Sequence, residues 1–443
     1  MKERIGSSSF IDDRIFCQER ELVSVAGEEV GNGFESAYAY VQERAKNDQL
    51  MMSFEGGRAR PYPIMSGVTC LNPSVERTLQ ERIHTIHGAL QKIVSSYHKD
   101  AGLRDFMNLP KELEAWVLED SDDTHRKIDL CRFDMMGRSL SEIRIIEFNA
   151  NAPGGILHGG MINTYWREAP EIKGLLHSWG GTPSPYEESD WFDKWLVDLA
   201  RRRGLRNIES IGLLHPQDGN VLELSHAAQC IRRSGYRSAM ITPSEWAKSL
   251  GIPFEVIYLK YGIQRAMKDM DLLQPFCRNV VEGKVIVPSS LSGRWIGDNK
   301  LCLAVMSDPK FHHMFDDGEK EAIRHMIPFS RKLGDGIALS EVADNKDQFV
   351  VKNPYGTRGA SVYVGKDYSK DAWKELVTLS DNFGFVVQEY VDSSYASVDN
   401  ELYRDLVAMI ASGRIVGYGS RVSYVRKVNV AQEGRKMAVF SSI

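Results

Sequence analysis

The sequence predicts a multidomain α/β protein in which a helical region precedes strands that alternate with helices. Three stretches support this: an amphipathic helical segment at 72–97, two alternating apolar runs between 128 and 149, and a strand, helix and strand from residue 208. The last stretch is typical of a Rossmann-like βαβ unit. A chain of 443 residues can hold two or three domains with sizeable cores.

Composition sets the limits on function. The chain is 42% hydrophobic and 26% charged with a formal net charge of −5, which is typical of a soluble globular protein. Neither half of the chain has a strong excess of positive or of negative charge, so we expect no nucleic-acid and no membrane-surface partner. Six scattered cysteines without a CxxC pair indicate reduced, buried thiols. Without a signal-peptide pattern or an apolar run near ~18 residues, we expect a cytoplasmic protein.

The first clear element is a helix that begins at Asn72 and Pro73, a residue pair that favours helix initiation. Its apolar residues recur at helical spacing and predict one face in the core: Val75, Leu79, Ile83, Ile86, Leu90 and Ile93. From these patterns we expect a helical N-terminal region at 1–127, a core hairpin region at 128–204, a Rossmann-like domain at 205–292 and a C-terminal region at 293–443.

The runs in KIDLCRFDMMGRSLSEIRIIEFNAN predict a β-hairpin with a turn at its Gly-Arg-Ser. If Asp134 faces Glu147, the constant index sum of an antiparallel pair places Arg132 opposite Asn149. The same register places four apolar residues on that face: Ile128, Leu130, Ile143 and Ile145. Cross-strand partners lie ~5 Å apart, so these polar groups would share one small site.

A hard cation suits this site, because Mg²⁺ is held by one or two carboxylates together with substrate phosphates. A neighbouring arginine can bind a phosphate or carboxylate through two hydrogen bonds. The alternative is an ordinary, partly exposed salt bridge from Arg132 to Asp134 or Glu147, with Asn149 and Asn151 capping the turn into PGG. The hairpin alone leaves both interpretations open.

Two later stretches bear on phosphate and adenine binding. DQFVVKNPYGTRGASVYVG predicts a strand that ends at Lys352, a glycine loop and a second strand, which is typical of a phosphate-covering hairpin or of a plain glycine-containing one. FGFVVQEYVD predicts an apolar strand that ends at Glu389 and either offers its backbone to adenine or simply leaves the core. HPQDGN after residue 214 lacks the GxGxxG pattern, so no dinucleotide site is inferred there.

Taken together, these motifs resemble a known family. EFNANAPGG, the lysine of GDNK, VVKNPYGTRG and VVQEYV follow the order of the circularly permuted ATP-grasp ligases, in which the E-x-N strand comes early. RFD at 132–134 and EFNA at 147–150 resemble the R-x-D and E-x-N-A pair of the eukaryotic-type glutathione synthetases and, more closely, of the synthetase part of glutathionylspermidine synthetase. The similarity runs from about residue 60 to 430 in motif order.

The resemblance implies roles for individual residues. Asp134, Glu147 and Asn149 would hold Mg²⁺, Arg132 would steady the reacting carboxylate or acyl phosphate, and Arg421 in VGYGSRVS would be a further transition-state arginine. Contacts with ATP would come from Lys300 and Lys352 at the phosphates, from the loop residues Gly356, Arg358 and Gly359, and from Gln388, Glu389 and Val391 at the adenine hinge. The loop lacks the metal-holding glutamate of glutathione synthetases, and no amidase half is recognisable.

The expected activity is therefore ATP- and Mg²⁺-dependent joining of a carboxylic acid to an amine through an acyl phosphate, with release of ADP and phosphate. The partners would be small molecules, such as amino acids, or a group bound to a carrier protein or peptide. The alternative, from another class of function, is a regulatory protein that binds nucleotide with the same fold but has lost catalytic activity. His158 either touches substrate or caps the turn after Gly155, and the pattern favours the cap.

Overall fold

The structure is a computed structural model that describes residues 14–17, 31–55, 58–120, 127–170, 173, 183–219, 221–248, 254–357, 359, 361–396, 401–430 and 434–441. Arg358, which the resemblance assigns to the phosphate loop, lies outside the described residues.

The strands are β1 (Phe16–Cys17), β2 (Met52–Glu55), β3 (Arg58–Pro61), β4 (Ile64–Leu71), β5 (Leu130–Met136), β6 (Arg144–Asn149), β7 (Ser210–Leu214), β8 (Arg237–Ile241), β9 (Val256–Leu259), β10 (Ser330–Lys332), β11 (Phe349–Lys352), β12 (Val362–Val364), β13 (Val386–Glu389), β14 (Ser394–Ala396), β15 (Glu401–Arg404), β16 (Leu406–Ala411), β17 (Arg414–Ser423) and β18 (Arg435–Phe440). The helices are Gly31–Asn47, Pro73–Tyr97, Ala101–Met107, Lys111–Glu119, His158–Glu168, Trp191–Arg202, Leu222–Arg233, Pro243–Lys248, Ile263–Lys268, Met270–Val281, Leu291–Gly297, Leu301–Ser307, Asp317–Met326, Leu339–Asp344 and Lys370–Thr378.

A mixed sheet of nine strands forms the centre of the molecule, with the path β1-β4-β18-β17-β16-β5-β6 and with β14 and β15 attached through β17. Its pairs are antiparallel except β4 with β18, which run parallel. Strands β5 and β6 thus pair through β16 with strands nearly 300 positions later in the chain. This topology brings the hairpin and the C-terminal strands onto one surface.

The β5–β6 hairpin has the predicted register at its polar end. Arg132 lies opposite Asn149 and Asp134 lies opposite Glu147. A bulge after Asp134 leaves Ile146 as the extra residue, so that Met135 pairs with Ile145. The side-chain parity of β6 therefore changes at the bulge.

The bulge corrects one prediction. Ile143 and Ile145 do not share the face of Asp134, as a constant index sum required, but pack in the core of the opposite face. That core also holds Phe133, Met135 and Phe148. Of the four apolar residues expected on the face of Asp134, Ile128, Ile143 and Ile145 pack in this core, whereas Leu130 packs in a core on the other face.

Helix Pro73–Tyr97 packs in the same core as this apolar face, and it has the single buried face that the helical spacing predicted. Asn72 caps it, since its side chain accepts a hydrogen bond from the backbone N–H of Ser74. The six apolar residues predicted for its buried face are all buried. On the other face of the sheet, helices Gly31–Asn47 and His158–Glu168 pack over a second core.

The described residues form three further sheets, of which the smallest is the antiparallel pair β2–β3. Strands β8, β7 and β9 form a parallel sheet, and the strand–helix–strand expected after residue 208 is part of it. Strands β10, β13, β11 and β12 form an antiparallel sheet in which Lys352 pairs with Val362, so β11 and β12 make the expected hairpin. Helices Leu339–Asp344 and Lys370–Thr378 cover one face of this sheet around Trp373.

No helix in the described part of the chain has the length and apolar character needed to cross a bilayer. Cys70, Cys131, Cys230, Cys277 and Cys302 are buried free thiols, in line with the expected absence of disulfides among them.

Candidate functional site

A cleft of about 770 Å³ lies between the uncovered face of the four-stranded sheet and the polar end of β5, β6 and β17. Its walls include ten of the residues singled out from the sequence: Asp134, Glu147, Lys300, Lys352, Gly356, Gly359, Gln388, Glu389, Val391 and Arg421. Apolar side chains of β11 and β12 line the sheet side, namely Val350, Val362 and Val364. Residues from five separate stretches of the sequence thus meet around one space.

At the floor of the cleft, Asp134 is held by two arginines. Arg132 donates to both carboxylate oxygens of Asp134, from Nε to Oδ1 at 2.7 Å and from Nη2 to Oδ2 at 2.9 Å. Arg421 Nη2 donates to Oδ2 at 2.6 Å. Arg132 also donates to the carbonyl of Gly154, in the turn after β6. Neighbouring β-strands and this turn therefore fix the carboxylate in place.

Asp405, just before β16, supports Arg421 from behind. Its carboxylate accepts from the backbone N–H of Arg421 at 2.6 Å and from the Nε at 2.7 Å, and its side chain is fully buried. Burial raises the pKa of Asp405. For Asp134, burial works in the same direction, but Arg132 and Arg421 prevail and hold its pKa well below the usual range. Asp134 is therefore ionised at neutral pH.

The salt bridge from Arg132 to Asp134 is the contact that the alternative interpretation of the hairpin proposed. It is not the partly exposed pair of that interpretation, since the carboxylate is 2% exposed. Asn149 lies opposite Arg132, with its Nδ2 3.5 Å from the Arg132 carbonyl, and is not part of the cleft wall. Asn151 accepts a hydrogen bond from the buried Arg294 and so does not cap the turn as proposed.

Lys300 joins the glycine loop to the hairpin. Its Nζ lies 3.0 Å from Glu147 Oε1 and donates to the carbonyl of Gly356 at 2.7 Å. Lys300 is 3% exposed, whereas the Glu147 side chain is 27% exposed and faces the cleft. Two residues more than 150 positions apart in the chain thus form a charged edge between the glycine loop and β6.

Lys352, at the end of β11, is buried in the cleft wall with neutral partners. Its Nζ donates to Gln388 Oε1 at 2.6 Å and to the carbonyl of Ile146, the bulge residue, at 2.9 Å. Within the described residues no carboxylate lies within ion-pair distance of this ammonium. Burial lowers the pKa of Lys352 to about 8. A buried ammonium with little counter-charge favours an anionic ligand.

The strand β13 leads out of the cleft at Glu389. Phe329 donates from its backbone N–H to Glu389 Oε2 at 3.3 Å, and Glu389 is exposed at the cleft edge. Gln388 is buried, with its amide Nε2 3.4 Å from Ser330 Oγ. Gly356 and Gly359, which the resemblance assigns to phosphate binding, line the cleft, and Gly359 has a φ of +72°, which favours glycine.

A metal ion would find hard oxygen donors here. Asp134 and Glu147 are cross-strand partners that both line the cleft. The described residues contain no group of three or more His, Cys, Asp or Glu side chains at metal-binding distance. Mg²⁺ needs fewer protein ligands than that, because it takes one or two carboxylates and completes its shell with phosphates and water. The donor chemistry therefore fits Mg²⁺ bound together with a phosphorylated ligand.

Several residues of the site were not found from the sequence. They are Asp405, which orients Arg421, and the segment Arg426, Lys427, Val428 and Asn429, which lines the cleft. For the segment, the two adjacent basic residues in YVRKVN were a sequence signal of a site. For Asp405, the surrounding RDL at 404–406 contains no such signal. His158 does not cap the turn after Gly155, whose carbonyl accepts from Tyr186, but pairs with Glu223 at 3.1 Å.

No protein-family model matches the sequence. A curated relative, the coenzyme gamma-F420-2:alpha-L-glutamate ligase of Methanocaldococcus jannaschii, is 27% identical over 120 residues, which cover 25% of this chain. The chain spans 40% of the length of that relative.

Among solved structures, a glutathione synthetase-like effector from Globodera pallida, in its apo form, aligns over 94% of this chain and 98% of its own at a TM-score of 0.57 and 12% identity. A structure from Methylobacillus flagellatus KT, described as a gamma-glutamylcysteine synthetase, aligns over 77% of this chain and 84% of its own at a TM-score of 0.38 and 12% identity. The first comparison shows that the chain has a glutathione synthetase-like α/β fold.

Proposed function

We propose that this chain is an ATP-dependent carboxylate–amine ligase of the ATP-grasp type, with the circularly permuted motif order of the glutathione synthetases. The observation that carries the proposal is the pair of buried lysines in the cleft, one of which, Lys352, has no carboxylate within ion-pair distance among the described residues. A polyphosphate would supply the missing negative charge. The names of the curated relative and of the solved structure with the same fold agree with a ligase.

In this proposal ATP lies between the two sheets. The adenine packs against Val350 and Val364 and meets the backbone of the segment from Glu389 to Val391. Lys352 and Lys300 contact the phosphates, and the glycine loop with Gly356 covers them. Lys300 would then exchange part of its contact with Glu147 for a phosphate oxygen, which frees that carboxylate to bind a metal ion.

Asp134 and Glu147, with the amide of Asn149, are the proposed Mg²⁺ ligands. When bound, the ion would neutralise phosphate charge. The remaining chemistry belongs to the side chains. Arg132 and Arg421 are the only cationic side chains hydrogen-bonded to Asp134 in the described residues, and both guanidinium groups can meet an oxygen of the acid substrate beside it.

In the first step, an oxygen of the substrate carboxylate attacks the γ-phosphorus of ATP. The bond from this phosphorus to the β,γ-bridging oxygen breaks, and ADP leaves with the electron pair. Lys352, Arg132 and Arg421 compensate the charge on the equatorial oxygens of the transferred group. The product is an acyl phosphate, whose carbonyl carbon is a far better electrophile than that of a carboxylate.

In the second step, the nitrogen of an amine attacks the acyl carbon. The bond from this carbon to the phosphate oxygen breaks, phosphate leaves and the amine loses a proton, which gives an amide. Water competes with the amine for the acyl phosphate, so the glycine loop would have to cover the cleft during both steps. No protein nucleophile is needed, and the buried cysteines take no part.

Hydroxylamine trapping tests this proposal. The protein is incubated with Mg·ATP, hydroxylamine and a panel of amino acids and other carboxylic acids, and both hydroxamate and ADP are measured. We expect hydroxamate that depends on one acid, with an equal amount of ADP. Formation of AMP would indicate that the intermediate is an acyl adenylate and not an acyl phosphate. Tight Mg·ATP binding without ADP, hydroxamate or AMP across the panel would instead favour a regulatory nucleotide-binding role.

A further inference from the structure

A second cluster of charged side chains adjoins the cleft on the same face of the nine-stranded sheet. Lys436 on β18 lies directly opposite Arg421 on β17, so the two cations are cross-strand neighbours. Lys436 does not line the nucleotide cleft, although Arg421 does. The cluster therefore begins where the proposed site for the reacting carboxylate ends.

From Lys436 the cluster continues through aromatic contacts. The Lys436 Nζ lies 4.6 Å from the centre of the Tyr62 ring, and this ring stacks on His158 with centroids 4.4 Å apart. His158 Nδ1 lies 3.1 Å from Glu223 Oε1. Burial lowers the pKa of His158 to about 4, so this imidazole is neutral at physiological pH. The four side chains Lys436, Tyr62, His158 and Glu223 therefore include one cation and one anion.

Lys260 closes the ring from Glu223 back to the arginines. Its Nζ lies 3.7 Å from Glu223 Oε2 and donates to the carbonyl of Pro153 at 2.6 Å. The next residue, Gly154, accepts from Arg132 through its carbonyl. The contacts thus form a closed ring. It runs from Arg132 through Lys260 and Glu223 to the stacked rings of His158 and Tyr62, then through Lys436 to Arg421. Arg421 and Arg132 both bind Asp134, which completes the ring.

Glycines of β17 make room inside this ring. A Cβ at Gly417 would lie 2.4 Å from the Cβ of Tyr186, so that ring packs directly on the strand. Gly419 lies midway between Gly417 and Arg421 in the sequence, and a Cβ there would meet nothing within 4 Å. The ring therefore surrounds a hollow over Gly419, with Tyr186 at one side of it.

The charge around the hollow is positive. Four cations, Arg132, Lys260, Arg421 and Lys436, are set against three carboxylates, those of Asp134, Asp405 and Glu223. Glu223 is satisfied by His158 and Lys260, and by the backbone N–H of Leu157.

Lys436 is the cation with the fewest partners. Apart from the Tyr62 ring, its ammonium makes no ion pair or hydrogen bond with any described residue. Burial lowers the pKa of Lys436 to about 7, in keeping with this shortage of counter-charge.

We infer that this hollow binds the body of the acid substrate and that Lys436 pairs with a second anionic group on it, a carboxylate distinct from the one that reacts. The preferred acid is then a dicarboxylate. Arg132 and Arg421 hold the carboxylate that is phosphorylated, and Lys436 holds the other at the far side of Gly419. This inference deepens the proposed ligase function and rests on it for the identity of the reacting carboxylate.

Equilibrium binding to the full chain without nucleotide tests the inference. Calorimetric titrations compare dicarboxylates with their monoamides, which keep the shape and lose one charge: succinate with succinamate, glutarate with glutaramate, and adipate with adipamate. We expect at least one dicarboxylate to bind roughly tenfold or more tightly than its monoamide, because a hydrogen bond to a charged group contributes about that much. The absence of any preference in the wild-type chain would overturn the inference.

Variants assign the preference to Lys436. Lys436→Gln should bind a dicarboxylate and its monoamide equally, whereas Lys436→Arg should keep the preference. Arg435→Gln is the matched control, since it removes one charge from the adjacent, exposed residue on the other face of β18. A preference that persists in Lys436→Gln, or disappears equally in Arg435→Gln, would contradict the assignment.

These titrations need neither ATP nor turnover. A Lys436-dependent preference in a protein that forms no hydroxamate and no ADP would leave the anion site standing and refute the ligase proposal. If only monocarboxylates gave hydroxamate and no dicarboxylate were preferred in binding, the ligase proposal would stand and the anion site would be refuted.

Discussion

Asp134 and Arg421 are 287 positions apart in the sequence, yet Arg421 Nη2 donates to Asp134 Oδ2 at 2.6 Å. The contact exists because β16 pairs with both β5 and β17. It joins the hairpin that carries the proposed metal ligands to the C-terminal strands. The two arginines on Asp134 lie at the border between the proposed nucleotide cleft and the hollow over Gly419, where in the proposed reaction a carboxylate and a γ-phosphate would have to meet.

Asp405→Asn should disturb turnover through Arg421. The amide keeps the size of the carboxylate but cannot accept the same hydrogen bonds from the backbone and guanidinium of Arg421. We expect kcat to fall about 10- to 100-fold, because small displacements of a reacting group cost that much, while the Kd for ATP stays within about threefold. Steady-state kinetics and nucleotide titration measure both. A lower unfolding temperature with normal kcat would indicate a purely structural role.

Glu147→Gln should lower the use of Mg·ATP with little effect on the fold, since the side chain is partly exposed. We expect at least about a 100-fold loss of activity and a higher Mg²⁺ requirement, because one of two proposed carboxylate ligands is lost. Glu142→Gln, in the exposed pair with Arg138 on the same hairpin, is the control and should be unaffected. Activity within a few-fold of wild type in Glu147→Gln would show that the metal assignment is wrong.

The pH dependence of ATP use should report Lys352. With a pKa of about 8 in the free protein, the ammonium is charged below pH 8 and loses its charge as the pH rises. The value of kcat/KM for ATP should therefore decline above pH 8 by up to about tenfold per unit. Lys352→Met should raise the KM for ATP about 10- to 100-fold and remove this decline. An identical profile in the variant would exclude Lys352 from phosphate binding.

Arg132→Lys should affect turnover more than nucleotide binding. An ammonium cannot reproduce the two hydrogen bonds that the guanidinium donates to Asp134 and also reach Gly154. We expect kcat to fall about 100-fold with the Kd for ATP within about threefold. Rapid-quench detection of acyl phosphate as hydroxamate would locate the loss in the first step. Equal losses in kcat and in ATP affinity would instead indicate a structural arginine.

Gly419→Ala and Gly417→Ala make a matched pair on one strand. At Gly419 the methyl group enters open space, so we expect stability within about 0.5 kcal/mol of wild type but roughly tenfold weaker binding of the acid. At Gly417 the methyl group collides with Tyr186, and we expect a loss of about 1–3 kcal/mol in the free energy of unfolding. Denaturant titration and binding of the dicarboxylate that the wild-type chain prefers distinguish the two effects. Unchanged binding in Gly419→Ala would mean that the hollow holds no substrate.

Local patterns in the sequence were sufficient for much of this site. The hypothesis that Asp134 faces Glu147 was sufficient to place Arg132 opposite Asn149, because both pairs lie on the same side of the bulge. The residues after β11 formed the expected glycine hairpin for the same local reason. Helical spacing gave the buried face of Pro73–Tyr97.

Other features depend on contacts that no local pattern encodes. The bulge at Ile146 lies in the run RIIEF, where two adjacent isoleucines fit either parity. Lys436 reaches Arg421 because β18 pairs with β17 and, in parallel, with β4. Glu223 and Lys260 come from the parallel-sheet region and approach the turn after β6 only in the folded chain. A lone lysine in a strand carries no sequence signal of such a neighbour.

The extra residue in β6 constrains which length changes this hairpin can accept. Deleting Ile146 would restore one continuous register in which Ile143 and Ile145 still face the core and Glu147 and Asn149 still face the cleft, because Ile145 would then directly precede Glu147. The carbonyl that accepts from Lys352 would be lost. A variant of this chain that lacks Ile146 should therefore keep both faces of the hairpin, and its defect should lie in the position of the Lys352 ammonium.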